Sequence, residues 1–239
     1  MGFRRATLQR MDKRVDELIR GFSGFVHTFN KRERFTGPTV YFHCRTLERL
    51  QAHGSAKEAL EDDGFLESLY ATLASWGMHR MGRRGARMVN FDAFKASLLS
   101  QLKRIEDLEN LKLTRVPAGE VLSRTRELWR IISSLRIGKG ETKIVIGTKA
   151  MHHLIPELVP PIDRHYTLRF FFENTTLNQG DKIAFAEVFP RFHRIATTCG
   201  KEIASLIGVG AMSTSSTKVI DNAIVGYGIQ RLQIEEEEE

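Results

Sequence analysis

LRIGKGETKIVIGTKAMHHLIPELVPPIDRHYTLRFFF, residues 135–172, is the stretch on which the reading of this chain turns. Gly138 and Gly140, or Gly147, permit backbone conformations with positive φ and a close approach to another chain or to a phosphate. Thr148, followed by KAMHHLIP, reads as a helix start whose exposed N–H groups favour an anion. Pro160 and Pro161 stiffen the chain just ahead of Asp163. That carboxylate is therefore expected at or near the N-terminus of the next helix. The one good strand candidate, KIVIG (143–147), lies in the same stretch.

Outward from this segment the periodicity is helical. Val15, Leu18, Ile19, Phe22, Phe25 and Val26 recur at three- and four-residue steps and predict an amphipathic helix over 10–29, weakened by Gly21 and Gly24. TVYFHCRTLERLQ continues as a helix through Leu50. Leu66, Leu69, Tyr70, Leu73 and Trp76 share one face of a helix over 64–76. Asn90 is placed to cap the helix that follows it. EVLSRTRELWRIISSL (120–135) is strongly amphipathic. A long helix is expected over 181–207, interrupted or bent at Pro190, and a last helix over STKVIDNAIVGYG (216–228). The expected fold is all-α, a multi-helix globular domain over 1–234 with possible lobes 1–110 and 111–234. The run Glu235–Glu239 is expected to be a disordered acidic tail.

Composition narrows the function classes. The 239 residues hold 36 Lys and Arg against 29 Asp and Glu, a formal net charge of +7, and the isoelectric point is about 9.6. That balance favours a polyanion partner, with nucleic acid first. Cys44 and Cys199 are far apart and in no ligand spacing, which argues against a disulfide scaffold and against zinc. Adjacent His152 and His153 face different sides of a helix, so no metal is expected there, and no cofactor is implied. No secretory signal or membrane-length apolar run is present, and the reading is cytoplasmic. The loop GMHRMGRRGARMVN (77–90) sets Arg80, Arg83, Arg84 and Arg87 among glycines. It reads either as a solvated loop or as a phosphate-contacting one, because arginine offers a bidentate fork.

The segment Leu135–Phe172 resembles the helix-hairpin-helix DNA glycosylases, including the branch that removes 8-oxoguanine. In that family a glycine-turn hairpin binds DNA phosphate through backbone amides. A lysine at the start of the hairpin's second helix is the nucleophile of bifunctional members, and a Pro-x-Asp sequence supplies a catalytic aspartate. Ile146-Gly147-Thr148-Lys149-Ala150 looks like the hairpin end with its lysine, and Pro161-Ile162-Asp163 looks like the aspartate motif. Leu135 to Gly140 is the nearest parallel to the usual Leu-Pro-Gly-x-Gly hairpin, which makes Lys143 the alternative nucleophile. Lys149 ranks slightly first, because Gly-Thr-Lys-Ala leads straight into a helical run.

The resemblance implies double-stranded DNA as partner, contacted by Gly138, Gly140, Gly147, Thr148 and the loop arginines. A damaged base would be extruded and stacked on Trp76, His79, Phe42, Tyr41 or Trp129, and its N-glycosidic bond cleaved. Plainer readings stand beside these. Asp163 serves equally as a helix cap, Lys149 as a solvated first-turn residue, and the aromatic residues as core. The alternative function is a non-catalytic nucleic-acid-binding or protein-interaction module on the same helical scaffold.

Overall fold

Two N-terminal helices, α1 (Arg5–Arg20) and α2 (Phe22–Asn30), stand where the periodicity predicts a single one. The break is at Gly21, whose amide reaches back to the Glu17 and Leu18 carbonyls. A Cβ at Gly21 would lie 2.8 Å from the Phe25 ring, so the chain turns at the residue that lets Phe25 fold inward. In this computed structural model residues 2–32, 36–80, 87–140 and 143–233 are described. Arg83, Arg84 and the acidic run 235–239 lie outside the described residues.

α3 (Pro38–His53) starts with proline at its first turn, where the missing N–H has no helical partner to lose. It ends at Gly54 in the left-handed conformation (φ 74°). α4 (Ala56–Glu61) and α5 (Asp63–Leu73) are capped by Ser55 and Asp62, whose side chains accept backbone N–H bonds. α5 runs into a π-helical turn, Ala74–Met78, kinked at Trp76 and at Gly77 (φ 78°). α6 (Phe91–Leu99) is capped by Asn90, which accepts from the Ala93 amide at 2.9 Å, as its sequence position predicts. A short α7 (Leu102–Glu106) and two 3-10 turns lead to α8 (Val121–Ser134).

The deciding segment is helical from Ile144, not from Thr148. α9 spans Ile144–Leu154 and takes in the strand candidate KIVIG except for Lys143, which stands at its N-cap. Every residue of α9 is buried, so its apolar run is that of an interior helix, which periodicity alone does not separate from a buried strand. Asp163 then caps a π-helical turn, Arg164–Leu168, which passes into α10 (Arg169–Phe172). α11 (Asp181–Thr198) takes Pro190 in its interior, and the break falls instead at Cys199, before α12 (Gly200–Leu206).

The last helix, α13 (Ser216–Arg231), is buried continuously from Ser216 to Gly228. It lies directly against α2: a Cβ on Gly226 would sit 1.9 Å from the Phe25 carbonyl oxygen. Among the described residues there is no strand, only an isolated bridge between Met88 and Gly138. The fold is all-α. One continuous set of buried apolar side chains extends from Met11 on α1 to Tyr227 on α13 and takes in residues from both sides of position 110.

Candidate functional site

α8 and α9 are joined by the connection 135–143 and pack against each other at Gly147, where a Cβ would come within 2.7 Å of the Ile132 side chain. Gly147 is thus a close-packing glycine in the middle of a buried helix. Thr148 is buried too. Its hydroxyl donates to the Ile144 carbonyl and accepts from the Ile162 amide at 3.1 Å, tying α9 to the chain that leads into Asp163. Neither residue lies at a helix start, so the expected anion site at Thr148 has no exposed amides.

The amides that do open α9 are those of Lys143 and Ile144. Both donate to one oxygen of Asp181 at the head of α11, at 2.5 and 3.0 Å. Gly138 is drawn into the bridge with Met88, and the Lys139 amide donates to Arg87. Gly140 remains exposed.

The two lysines separate clearly. Lys143 stands at the head of α9, partly exposed, with its ammonium on the Gly140 carbonyl at 3.3 Å. Lys149 lies six residues on, about 9 Å along the axis at the usual helical rise, and is only 8% exposed. Its Nζ donates to the Trp76 carbonyl at 3.0 Å. That carbonyl is available because the kink at Trp76 and Gly77 takes it out of the regular ladder. Burial lowers the Lys149 pKa; the charges of Asp163 and Asp221 oppose that shift, and those of Lys218 and Arg80 add to it.

Asp163 is the cap that its position predicts. One carboxylate oxygen accepts from the Tyr166 amide at 2.6 Å and the other from the Thr167 hydroxyl at 3.2 Å. The structure therefore brings Lys149, Asp163 and Trp76 into one neighbourhood and ties Lys143 instead to Gly140 and Asp181.

Trp76 forms the wall of this neighbourhood. Its indole stacks on His43, with ring centroids 5.2 Å apart, and its N–H donates to the Thr39 carbonyl. Tyr41, 63% exposed, makes an edge-on pair with Phe42 on α3. His79, Arg80 and Arg87 are exposed, and Trp129 packs on Phe185.

Sequence reasoning missed the other half of the site. Lys218 on α13 is 3% exposed. Its ammonium donates to Asp221 and to the Asn222 side-chain oxygen, each at 2.7 Å. It also lies 5.3 Å from the Phe29 ring centroid and 5.9 Å from that of Trp76, while the Lys149 ammonium is 5.7 Å from the same Trp76 centroid. Burial pushes the Asp221 carboxyl up, and the Lys218 charge draws it back. The sequence carries one faint signal: KVIDN sets a lysine and an aspartate three residues apart, about one helical turn, in a helix whose only other charged residue is Arg231.

Beside this lies a set of buried imidazoles. The His153 Nδ1 faces the Lys149 carbonyl at 2.8 Å, which can only accept, so Nδ1 carries the proton and Nε2 accepts from His43 Nδ1 at 2.9 Å. The Thr214 hydroxyl then donates to His43 Nε2 at 2.9 Å. His152 donates through Nδ1 to the Val159 carbonyl, leaving its buried Nε2 without a partner among the described residues. Burial is the main reason all three stay neutral, with His153 lowered to about 4.

No group of three or more His, Cys, Asp or Glu among the described residues is arranged to hold a metal ion. Among the described residues no helix is long and apolar enough to cross a membrane. Compared with known protein families, curated proteins and solved structures, the chain finds no match.

Proposed function

We propose that the protein acts on DNA inside the cell as a base-excision glycosylase, with Lys149 as nucleophile and Asp163 as the carboxylate that serves it. One observation carries the reading: a buried lysine, its amine depressed by desolvation, lies within the field of a carboxylate that opens the next helical turn. Titratable groups perturbed by desolvation and a specific charge partner are functional-site candidates, and desolvation is one way in which a lysine is activated as a nucleophile. The chain order α8, connection, α9, Pro-Ile-Asp and helical turn agrees with the glycosylase resemblance.

In this mechanism the neutral amine keeps one N–H on the Trp76 carbonyl, which aims its lone pair. That lone pair attacks C1′ of an extruded nucleotide. The N-glycosidic bond breaks, its electron pair leaves with the base, and the base takes up a proton. Asp163 stabilises the positive charge that develops on the sugar. Loss of a proton from nitrogen and opening of the sugar ring give the Schiff base.

Borohydride trapping on duplexes carrying oxidised, alkylated or abasic nucleotides tests the reading. A covalent adduct that survives Lys143→Ala and vanishes in Lys149→Ala is expected. Absence of any adduct and of base release across the panel refutes it. A second reading, a DNA-binding protein without turnover, draws on the capping of both Asp163 oxygens and on the Asp181 carboxylate that fills the hairpin amides. It requires salt-sensitive DNA binding that Asp163→Asn and Lys149→Ala leave unchanged.

A further inference from the structure

α13 places a fixed ion pair at the Trp76 indole, which the Lys149 ammonium also approaches. Asn222 is oriented by its own amide, which donates to the Met212 carbonyl at 3.0 Å and towards Ser213 at 3.4 Å, so its oxygen faces Lys218. Asp221 holds the same ammonium from the next position. Lys218, so pinned, lies by the ring of Trp76, the residue whose carbonyl holds Lys149. The charged and titratable groups that face Lys149 are Asp163 at the start of the π-turn, Asp221 and Lys218 from α13, Arg80 beyond the kink, and His153 one turn along α9. Asp163 is anchored as a cap. Asp221 caps nothing, and among the described residues its side chain's one hydrogen bond is from Lys218.

We infer that Asp221, seated with Lys218 beside the Trp76 indole, is a positioning residue of the Lys149 amine: its charge governs when that amine is free to react. The inference rests on the reading of Lys149 as the nucleophile and adds to it the element that sets its working range. A carboxylate in the neighbourhood favours the ammonium form and opposes the desolvation that favours the amine. Removing that charge while keeping an oxygen for Lys218 should release the proton at lower pH.

Trace acetylation of the DNA-free protein over a pH series, with the Lys149 and Lys143 peptides quantified by mass spectrometry, reads this directly. In Asp221→Asn the midpoint of Lys149 reactivity is expected to fall by ~0.5–1 pH unit, the effect of one nearby charge. Asp221→Glu restores it, and Lys143 does not move. An unshifted Lys149 midpoint in Asp221→Asn, or an equal shift in both variants, overturns the inference. Should Asp221→Asn fail to fold, Asn222→Asp adds a carboxylate at the same place; an alkaline shift supports the inference and no shift overturns it. A wild-type protein that traps on DNA but shows no midpoint shift sinks this inference and spares the glycosylase reading. A midpoint shift in a protein that never traps does the reverse.

Discussion

Acidification should unfold this protein through its buried imidazoles before most carboxylates are titrated. His153 is held at about 4 against an ordinary 6.5, chiefly by burial, with the Lys218 and Lys149 charges adding and its bond to the Lys149 carbonyl opposing. Above pH 6.5 neither the folded nor the unfolded chain protonates it, and stability is unaffected. As pH falls below 6.5 the unfolded chain takes up a proton that the folded chain refuses. Stability is therefore lost progressively until about pH 4. The difference of some 2.5 units corresponds to about 3 kcal/mol for this one ring, a large share of the ~5–15 kcal/mol that holds a typical domain.

His43 and His152, also pushed down chiefly by burial, act in the same direction. Urea unfolding followed by far-UV circular dichroism, in steps between neutral pH and pH 4, gives the slope. His153→Gln, polar but unable to titrate, isolates one ring from the carboxylates. The variant is expected to be less stable at neutral pH but to lose stability with acid less steeply, by up to about 1.4 kcal/mol per pH unit for one proton. Parallel slopes for wild type and variant would refute the argument.

Three other outcomes follow from single contacts. Gly226→Ala pushes a methyl group into the Phe25 backbone and should destabilise by about 3 kcal/mol, the upper end of overpacking; a urea midpoint within error of wild type would disprove the direct α2–α13 contact. Asp163→Ala removes the cap on the Tyr166 amide and should lose about 1 kcal/mol, whereas Asp163→Asn, which can still cap, should stay near wild type in stability yet lose borohydride trapping. Asp181→Ala frees the Lys143 and Ile144 amides; stability should fall by about 1 kcal/mol and DNA affinity at fixed salt should rise, while unchanged affinity would place the phosphate away from this hairpin.

The helical class was legible because its signals are local. Periodic apolar residues, the Asn90 cap and the proline-stiffened approach to Asp163 depend on neighbours a few residues away. The failures have a common cause in burial. KIVIG reads as a strand because a run apolar on every side carries no period, and α9 is apolar on every side since it is interior. α13 is predicted as a helix, but the burial of its Lys218 and Asp221 is not legible locally, since nothing in the neighbouring sequence says that the helix is buried from Ser216 to Gly228. Gly21 and Pro190 show the limits of breaker rules: a glycine noted only as weakening divides two helices, while an interior proline is accommodated within one. The pairing of His43 with His153, separated by 110 positions, has no sequence signature.

The choice between Lys143 and Lys149 shows how a small boundary error alters a chemical argument. The sequence favoured Lys149 because it seemed to sit in a first turn. In the structure Lys143 heads the helix, so the position that the glycosylase resemblance gives its nucleophile belongs to Lys143. Yet Lys143 is partly exposed and bonded to the Gly140 carbonyl. Lys149 is the lysine whose environment disfavours charge. Desolvating an ammonium costs several kcal/mol even after relaxation, and the fold brings two of them, Lys149 and Lys218, to one indole. Lys218 is compensated by a carboxylate, an amide oxygen and two aromatic faces. Lys149 has one backbone carbonyl, the Trp76 ring at 5.7 Å and no salt bridge among the described residues. The missing carboxylate at Lys149 is why we propose the nucleophile by environment rather than by position in the hairpin.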